Sequence, residues 1–371
     1  MNNRCKIGLM VIGLALLARV PVHGQGAAAP DSLSRTNAVA APDSLAPLFL
    51  VLPVVNYSEK GEAHTLLMPR LYENLDRLGV TYRTADDIRP LLREHRIRSR
   101  GWAGLEGARI LRQETRARYL ILGSWDVFRT EINPEIGLSL RILDLENMTL
   151  VSAASVGLTG ADFTRALGLG RITSSEELAD LAMQRAIDAL LPLPDYNEPR
   201  LSFRGCFQVA LIPFDNYSNT PNAGDIVTNI VLSRLLSQGY FVVEPGFVRE
   251  LGLTLEVVNR GGVDYGSARS ILASFGACRV VTGSVEKFDT ARGTPIQTVP
   301  RVALGIRVMS PEDGNLYMME ELQGEGDDGE GMFQSGRTHA LVTLVNSVLQ
   351  DFVDKLVANN REDIIHGEQS P

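Results

Sequence analysis

Apolar positions along the chain alternate between short continuous runs and helical stripes. The run Leu48–Val55 predicts a strand. After it, Leu67, Leu71 and Leu75 recur at four-residue spacing, which predicts an amphipathic helix. Gly79 follows at the position where a helix commonly ends on a residue with positive φ. The chain therefore begins its folded part with a strand and a covering helix.

The next stretch predicts two further helices, three long strands and a closing helix. Two of the long strands form a hairpin, because a short polar turn separates them. The closing helix has Ser174 or Ser175 as its N-cap, and Pro192 marks its end. The predicted segments are a short strand Val80–Arg83, a helix with Ile88 and Leu91, a helix with Ala108 and Arg109, a strand Tyr119–Phe128, a hairpin Leu138–Leu145 with Leu150–Leu158, and a helix Glu176–Leu190.

The same order of segments occurs a second time. Pro53 and Pro213 are 160 positions apart, and the triplets Asn56-Tyr57-Ser58 and Asn216-Tyr217-Ser218 keep that spacing. After Phe288 the spacing becomes 166, as in Arg141 and Arg307. Matches at such positions indicate a duplicated unit. The second set of segments is Val209–Phe214, a helix with Val227, Val231 and Leu235 ending at Gly239, Tyr240–Val243, a helix with Val248 and Leu251, a helix with Ala268 and Arg269, Arg279–Phe288, a hairpin Ala303–Met309 with Leu316–Glu321 turning at Asp313-Gly314, and Thr338–Val357.

These segments predict an α/β fold made of two tandem mixed-sheet α/β sandwich modules. Each has a parallel β-α-β part followed by an antiparallel hairpin and a closing helix. The predicted boundaries are a signal peptide at 1–24, a flexible leader at 25–46, repeat 1 at 47–192, a linker at 193–205, repeat 2 at 206–358 and a polar tail at 359–371.

The amino terminus is typical of a secretory signal. Arg4 and Lys6 precede the apolar run Ile7–Ala18, which is shorter than the roughly 20 residues that span a bilayer. Cleavage is expected after Gly24, the alternative being an uncleaved anchor helix. Cys5 lies before the apolar run rather than after it, which disfavours a lipoprotein.

Composition and charge narrow the class of partner. With 44% hydrophobic and 22% charged residues, the 371-residue chain has the composition of a globular protein with room for two cores. The formal net charge of -8 argues against nucleic acid, because affinity for phosphate depends on clustered Lys and Arg.

Two cysteines remain after removal of the signal. Cys206 and Cys278 each stand at the start of a predicted strand of the second repeat. If those strands are adjacent and parallel, the two thiols lie within disulfide range. The sequence is compatible with two alternatives, a Cys206–Cys278 disulfide or two buried free thiols. Their spacing is neither a CxxC redox motif nor a metal-binding pattern.

The second repeat resembles a known family. Four of its segments are similar to the module of the CsgG-like curli assembly and transport family. They are Val209–Ser218, the helix ending at Gly239, Ala277–Phe288 and the strand of Arg307. They also resemble the N-terminal domain of TolB and related cell-envelope accessory lipoproteins. The resemblance implies an envelope accessory role. The loops before Leu138 and Ala303 are too short for the membrane-spanning hairpins of the channel-forming members.

The best candidate binding residues follow the first strand of each repeat. They lie at the end of the strand, where open α/β sheets usually bind ligands. In the first repeat they are Asn56, Tyr57 and Ser58, and in the second they are Asp215, Asn216, Tyr217 and Ser218. The alternative is a structural turn in which Asn and Ser bond to nearby backbone. Gly168-Leu169-Gly170 lacks the strand-to-helix context of a phosphate loop. The acidic run Glu325, Asp327, Asp328 and Glu330 lacks the ligand order of a calcium loop.

No catalytic constellation emerges from the remaining residues. His64, His95, His339 and His366 are outside any HxxH or HxxE spacing, and no GxSxG motif is present. We therefore expect a non-enzyme with no cofactor and no metal. The leading hypothesis is an exported, periplasmic or outer-membrane-associated protein that binds envelope proteins, through a sheet edge or the cleft between modules. The alternatives are a soluble ring-forming export component, and a periplasmic small-ligand receptor or hydrolase. Peripheral membrane association and homo-oligomerisation stay open.

Overall fold

A computed structural model describes residues 46–98, 101–131, 133–164, 170–193, 208–257, 262–290, 299–329 and 337–367. The predicted signal peptide, Cys5, the leader up to Leu45, Gly168, Leu169, Glu330, most of the predicted linker and Cys206 lie outside these ranges. No helix in the described ranges is both long and apolar enough to cross a membrane.

Each half of the chain builds one six-stranded mixed sheet with four α-helices. The first module, as defined here, comprises β1 to β6 and α1 to α4. Its elements are β1 (Phe49–Val51), β2 (Val55–Asn56), α1 (Gly61–Arg77), β3 (Tyr82–Arg83), α2 (Ala85–Glu94), α3 (Leu105–Thr115), β4 (Tyr119–Arg129), β5 (Glu135–Asp144), β6 (Thr149–Thr159), a 3-10 turn (Gly160–Phe163) and α4 (Ser175–Leu190).

The second module repeats this order. Its elements are β7 (Gln208–Leu211), β8 (Asp215–Asn216), α5 (Ala223–Ser237), β9 (Phe241–Val243), α6 (Pro245–Thr254), α7 (Tyr265–Phe275), β10 (Ala277–Asp289), β11 (Arg301–Met309), β12 (Leu316–Glu325) and α8 (Leu341–Gly367).

The two sheets have the same topology and the same register. Their strand orders are β3-β1-β4-β5-β6 and β9-β7-β10-β11-β12, with β2 and β8 pairing in parallel with β4 and β10. Arg141 lies between Leu122 and Ala153 across three strands, and Arg307 lies between Thr282 and Met319. The predicted fold class, with two tandem mixed α/β modules, is confirmed.

Several local predictions hold, and others need correction. Gly79 and Gly239 have positive φ, as their place after a helix requires. The predicted strand Leu48–Val55 is divided into β1 and β2, because Pro53 has no N–H to continue the ladder. Pro213 divides the equivalent strand in the same way. The last helix extends to Gly367 and enters the segment predicted as a polar tail.

The helices that cover the two sheets differ in burial. Helices α1 and α4 pack on each other and on one face of the first sheet. Helices α5 and α8 contact β6 of the first sheet and strands of the second sheet. The predicted amphipathic character of α5 is therefore wrong: 12 of its 15 residues are buried, against 5 of 17 in α1. An all-round apolar helix is one with neighbours on both sides.

Candidate functional site

The two sheets present equivalent faces with different surroundings. We call the face of the first sheet that meets the second module the covered face. It comprises Leu122, Ser124 and Asp126 of β4, Gly137, Ser139 and Arg141 of β5, and Ala153, Ser155 and Gly157 of β6. We call its counterpart in the second sheet the open face. It comprises Thr282, Ser284 and Glu286 of β10, Ala303, Gly305 and Arg307 of β11, and Met319, Glu321 and Gln323 of β12.

An ion pair joins the covered face to the second module. Nε and Nη2 of Arg141 donate to the two carboxylate oxygens of Glu244 over 2.8 and 2.9 Å, and the side chains are 2% and 0% exposed. The guanidinium also donates to the carbonyl of Gly101 and to Oδ1 of Asn229, and it lies 4.7 Å from the ring centre of Trp102. A buried charge is tolerated only with such complete pairing.

Glu244 completes its own bonding from both modules. Its Oε1 accepts the backbone N–H of Ala103 over 3.2 Å and that of Gly246 over 3.4 Å, the latter at the first turn of α6. A hypothetical Cβ on Gly246 meets the carbonyl oxygen of Ala103 at 2.0 Å, so only glycine fits this approach of two backbones. Glu250 of α6 accepts the backbone N–H of Leu105 at the start of α3.

A second polar cluster lies beside this pair. Nδ2 of Asn229, on α5, donates to Oγ of Ser124 over 3.0 Å. Ser124 and Ser139 donate to the carboxylate of Asp126 over 2.5 and 2.6 Å. Burial raises the pKa of Asp126 to about 7, against the lowering effect of these hydrogen bonds and of Arg141. The covered face is thus a buried surface whose polar side chains hydrogen-bond to one another and to α5.

The closing helix α8 begins on the covered face as well. Oγ1 of Thr343 donates to the carbonyl of Gly157 over 2.7 Å, and a Cβ on Gly137 or Gly157 would lie 2.7 Å from Val342. Oε1 of Glu135 accepts the backbone N–H of Leu341 over 2.8 Å, and burial raises the pKa of Glu135 to about 7. Small residues on the strands therefore make room for the helix start.

The open face has no such cover within the described residues. Strand β5 is buried along its whole length, whereas β11 alternates between buried and accessible residues. Helices α6 and α7 pack near β7 and β10. Beyond them a groove of about 550 Å³ is lined by open-face residues together with Asp215, Tyr217 and Gly262 at its rim. Arg307 and Asp215 are each engaged in further interactions.

The Asn-Tyr-Ser triplets form the same local turn in both modules. Oδ1 of Asn56 accepts from the N–H and the hydroxyl of Ser58, and Oδ1 of Asn216 does the same with Ser218. The tyrosines differ: Tyr57 is 7% exposed, whereas Tyr217 is 61% exposed. Asn222, ahead of α5, donates to the carbonyl of Tyr57 over 3.4 Å. Tyr57 is thus buried beside the second module, whereas Tyr217 lines the groove.

The remaining candidate residues are distributed away from this region. Cys278 is disulfide-bonded. Cys206 lies outside the described residues, so their pairing stays a prediction. Asp328 bonds to the backbone N–H of Glu325 in a local turn. Within the described ranges no group of His, Cys, Asp and Glu is arranged to hold a metal ion.

Sequence reasoning missed the residues that matter most between the modules. In the sequence, Arg141 and Arg307 stand out only as matched positions of the repeat, and no motif distinguishes Glu244, Asn229 or Asp126. Burial of a polar strand face cannot be inferred from alternation, because Ser and Arg also suit a solvated face. The expected cleft between modules is instead filled by α5 and α8.

Comparisons with known proteins give distant likenesses. No protein-family model and no curated protein sequence matches the chain. The PelC dodecamer from Paraburkholderia phytofirmans is similar at 20% identity, over 41% of this chain and 90% of that chain, with a TM-score of 0.25. A lipoprotein from Neisseria meningitidis is 15% identical over 41% and 98% of the two chains, with a TM-score of 0.29. The LpoB C-terminal domain from Escherichia coli is 15% identical over 32% and 82%, with a TM-score of 0.24. Similarity at this level assigns neither family nor function.

Proposed function

We propose that this protein is an exported, non-catalytic accessory protein of the bacterial cell envelope, which binds another envelope protein through the open face. The observation that supports the proposal is the unequal use of two equivalent sheet faces. The covered face of the first module binds two helices, whereas its counterpart in the second module carries the same register and no cover among the described residues.

Two further features fit an exported protein. The amino-terminal sequence is typical of a secretory signal. Cys278 is disulfide-bonded, and disulfides persist mainly in oxidising compartments such as the periplasm. We propose that each module is of the CsgG-like or TolB N-terminal kind, on the motifs around Asn216-Tyr217-Ser218 and Ala277–Phe288.

Cross-linking in the native cell tests the function. A photoreactive side chain is placed at Gln323, which is exposed on the open face, and at Asp351, an exposed control position on α8. We expect an envelope protein to cross-link through position 323 and not through 351, and the product to disappear in the Gly305→Trp variant. A cytosolic location of the mature protein, or equal cross-linking from both positions, contradicts the proposal.

The groove favours a second candidate, a receptor for a small ligand. Its volume of about 550 Å³ lies in the range of small-molecule sites. Thermal-shift screening of the full chain separates the two, because a ligand bound only by the folded state raises the melting temperature. A stabilising compound whose effect is lost in Gly305→Trp favours the receptor.

A further inference from the structure

We infer that the open face takes an α-helix of another protein, and that this helix is apolar along its contact stripe and carries basic side chains toward Glu286 and Glu321. The inference rests on the proposed function and names the chemistry of its partner. The covered face shows which kind of element an equivalent surface binds.

A helix is the element that fits this surface. On the covered face, Ser233 of α5 donates to the carbonyl of Ala153 over 3.3 Å, and Asn229 one turn earlier donates to Ser124. The matching positions on the open face are Met319 and Ser284, in the same register. Gly305 pairs with Ser284, and Ala303 lies two residues earlier on the same face of β11, so this part of the groove floor has little side-chain bulk, whereas Arg307 pairs with Met319. A Cβ on Gly305 would meet only Oγ of Ser284, at 3.1 Å.

The charge of the open face selects a basic partner. Val55 and Ser155 of the first module correspond to Asp215 and Glu321 of the second, which adds two carboxylates. Glu286, exposed on the open face, corresponds to Asp126. Among the described residues that line the groove, three are acidic and one, Arg307, is basic. Such an excess attracts cationic groups and rejects anionic ones.

A second copy of this chain does not meet that requirement. The helices of the first module equivalent to α5 and α8 are α1 and α4, which hold the same places in the order of elements. Ser233 corresponds to Glu73, while Val342 and Thr343 correspond to Glu176 and Glu177. Docking a second copy in the internal manner would place Glu73 at Met319, two residues from Glu321 on the same face of β12. Like charges at such a contact disfavour association.

Synthetic peptides test the inference on the full chain. One amphipathic peptide of about five helical turns has an Ala/Leu stripe flanked by lysines, and a matched peptide has glutamates in place of the lysines. Fluorescence anisotropy measures binding of each. We expect the lysine peptide to bind at least about tenfold more tightly, and the preference to weaken with salt.

Variants assign the binding to the open face. Glu286→Lys with Glu321→Lys should reverse the peptide preference. The control, Glu312→Lys with Asp351→Lys, makes the same charge change at exposed residues outside the groove and should preserve it. Gly305→Trp should abolish binding of the lysine peptide while circular dichroism and thermal unfolding remain those of a folded chain.

Three results overturn the inference. The first is equal binding of the two peptides, and the second is unchanged binding in Gly305→Trp. The third is self-association of the full chain through a contact that Gly305→Trp abolishes. The last identifies a second copy as the occupant. In another outcome, the peptides fail to bind while an envelope protein still cross-links specifically through position 323. That combination supports the proposed function and rejects only the inference that the partner segment is a basic helix.

Discussion

Tyr57 and Tyr217 hold the same place in identical Asn-Tyr-Ser turns, yet Tyr57 is buried and Tyr217 has 61% of its surface exposed. The local hydrogen bonds are the same in both turns. The difference arises from the neighbour, because the second module covers Tyr57 and nothing among the described residues covers Tyr217 in the same way. The two equivalent tyrosines should therefore contribute differently to the free energy of unfolding.

Truncating these two tyrosines measures that difference. Tyr57→Ala leaves a cavity between the modules and should lower the free energy of unfolding by about 3 kcal/mol. Tyr217→Ala, the matched control, should change it by no more than about 0.5 kcal/mol. Urea unfolding followed by fluorescence and far-UV circular dichroism gives both values. Equal losses would contradict a buried interface at Tyr57.

Loss of Arg141 should lower the free energy of unfolding far more than loss of its counterpart Arg307. Arg141→Met leaves the Glu244 carboxylate buried without its partner, and we expect a loss of about 3–5 kcal/mol in unfolding free energy. Adding Glu244→Gln removes the stranded charge and should recover part of the loss. The exposed counterpart, Arg307→Met, is the control. If the double variant is less stable than Arg141→Met, the carboxylate is not the source of the cost.

Replacement of two glycines of α6 by alanine should change the stability of the chain in opposite directions. In Gly246→Ala the new methyl group collides with the carbonyl oxygen of Ala103, so stability should fall by about 3 kcal/mol or more. In Gly252→Ala the nearest atom is the carbonyl oxygen of Val257 at 3.5 Å, and alanine should raise stability by about 0.5–1 kcal/mol. Thermal unfolding measures both. A tolerated Gly246→Ala would contradict the backbone contact between modules.

Burial of Asp126 predicts a pH dependence of stability. Its pKa is raised from 3.8 to about 7 in the folded chain, so the unfolded chain releases its proton first as pH rises. The associated stability is complete below pH 3.8 and is lost as pH rises to about 7. In Asp126→Asn this decline should become shallower.

An opposite control is available at the start of α7. Hydrogen bonds from Ser267 lower the pKa of Asp264, so its contribution is present above the unfolded pKa and is lost as pH falls. Asp264→Asn should therefore alter only the acidic side of the profile. Denaturant midpoints measured from pH 3 to pH 8 distinguish the two cases. An unchanged slope in Asp126→Asn contradicts the raised pKa.

The duplication made much of the fold predictable. Because matched residues of the two halves keep a spacing of 160, and of 166 after Phe288, one module's segments predict the other's, and the strand registers agree. The arrangement of the modules was not predictable in the same way, since a repeat carries no information about which of its faces meets the next copy. One signal was present: Ile226, Ile230 and Leu236 make α5 apolar on every side, unlike α1. Such a helix requires neighbours on two sides, and in this chain they are β6 of the first sheet and the second sheet.

The sharing of α8 has a consequence for how the chain acquires its structure. This helix follows all twelve described strands along the chain, yet it covers strands in both sheets. Neither sheet is fully covered until α8 has been made, so the nascent chain carries unshielded apolar strands until then. A chain ending before Leu341 should consequently be cut by protease within β4 to β6 as readily as within β10 to β12.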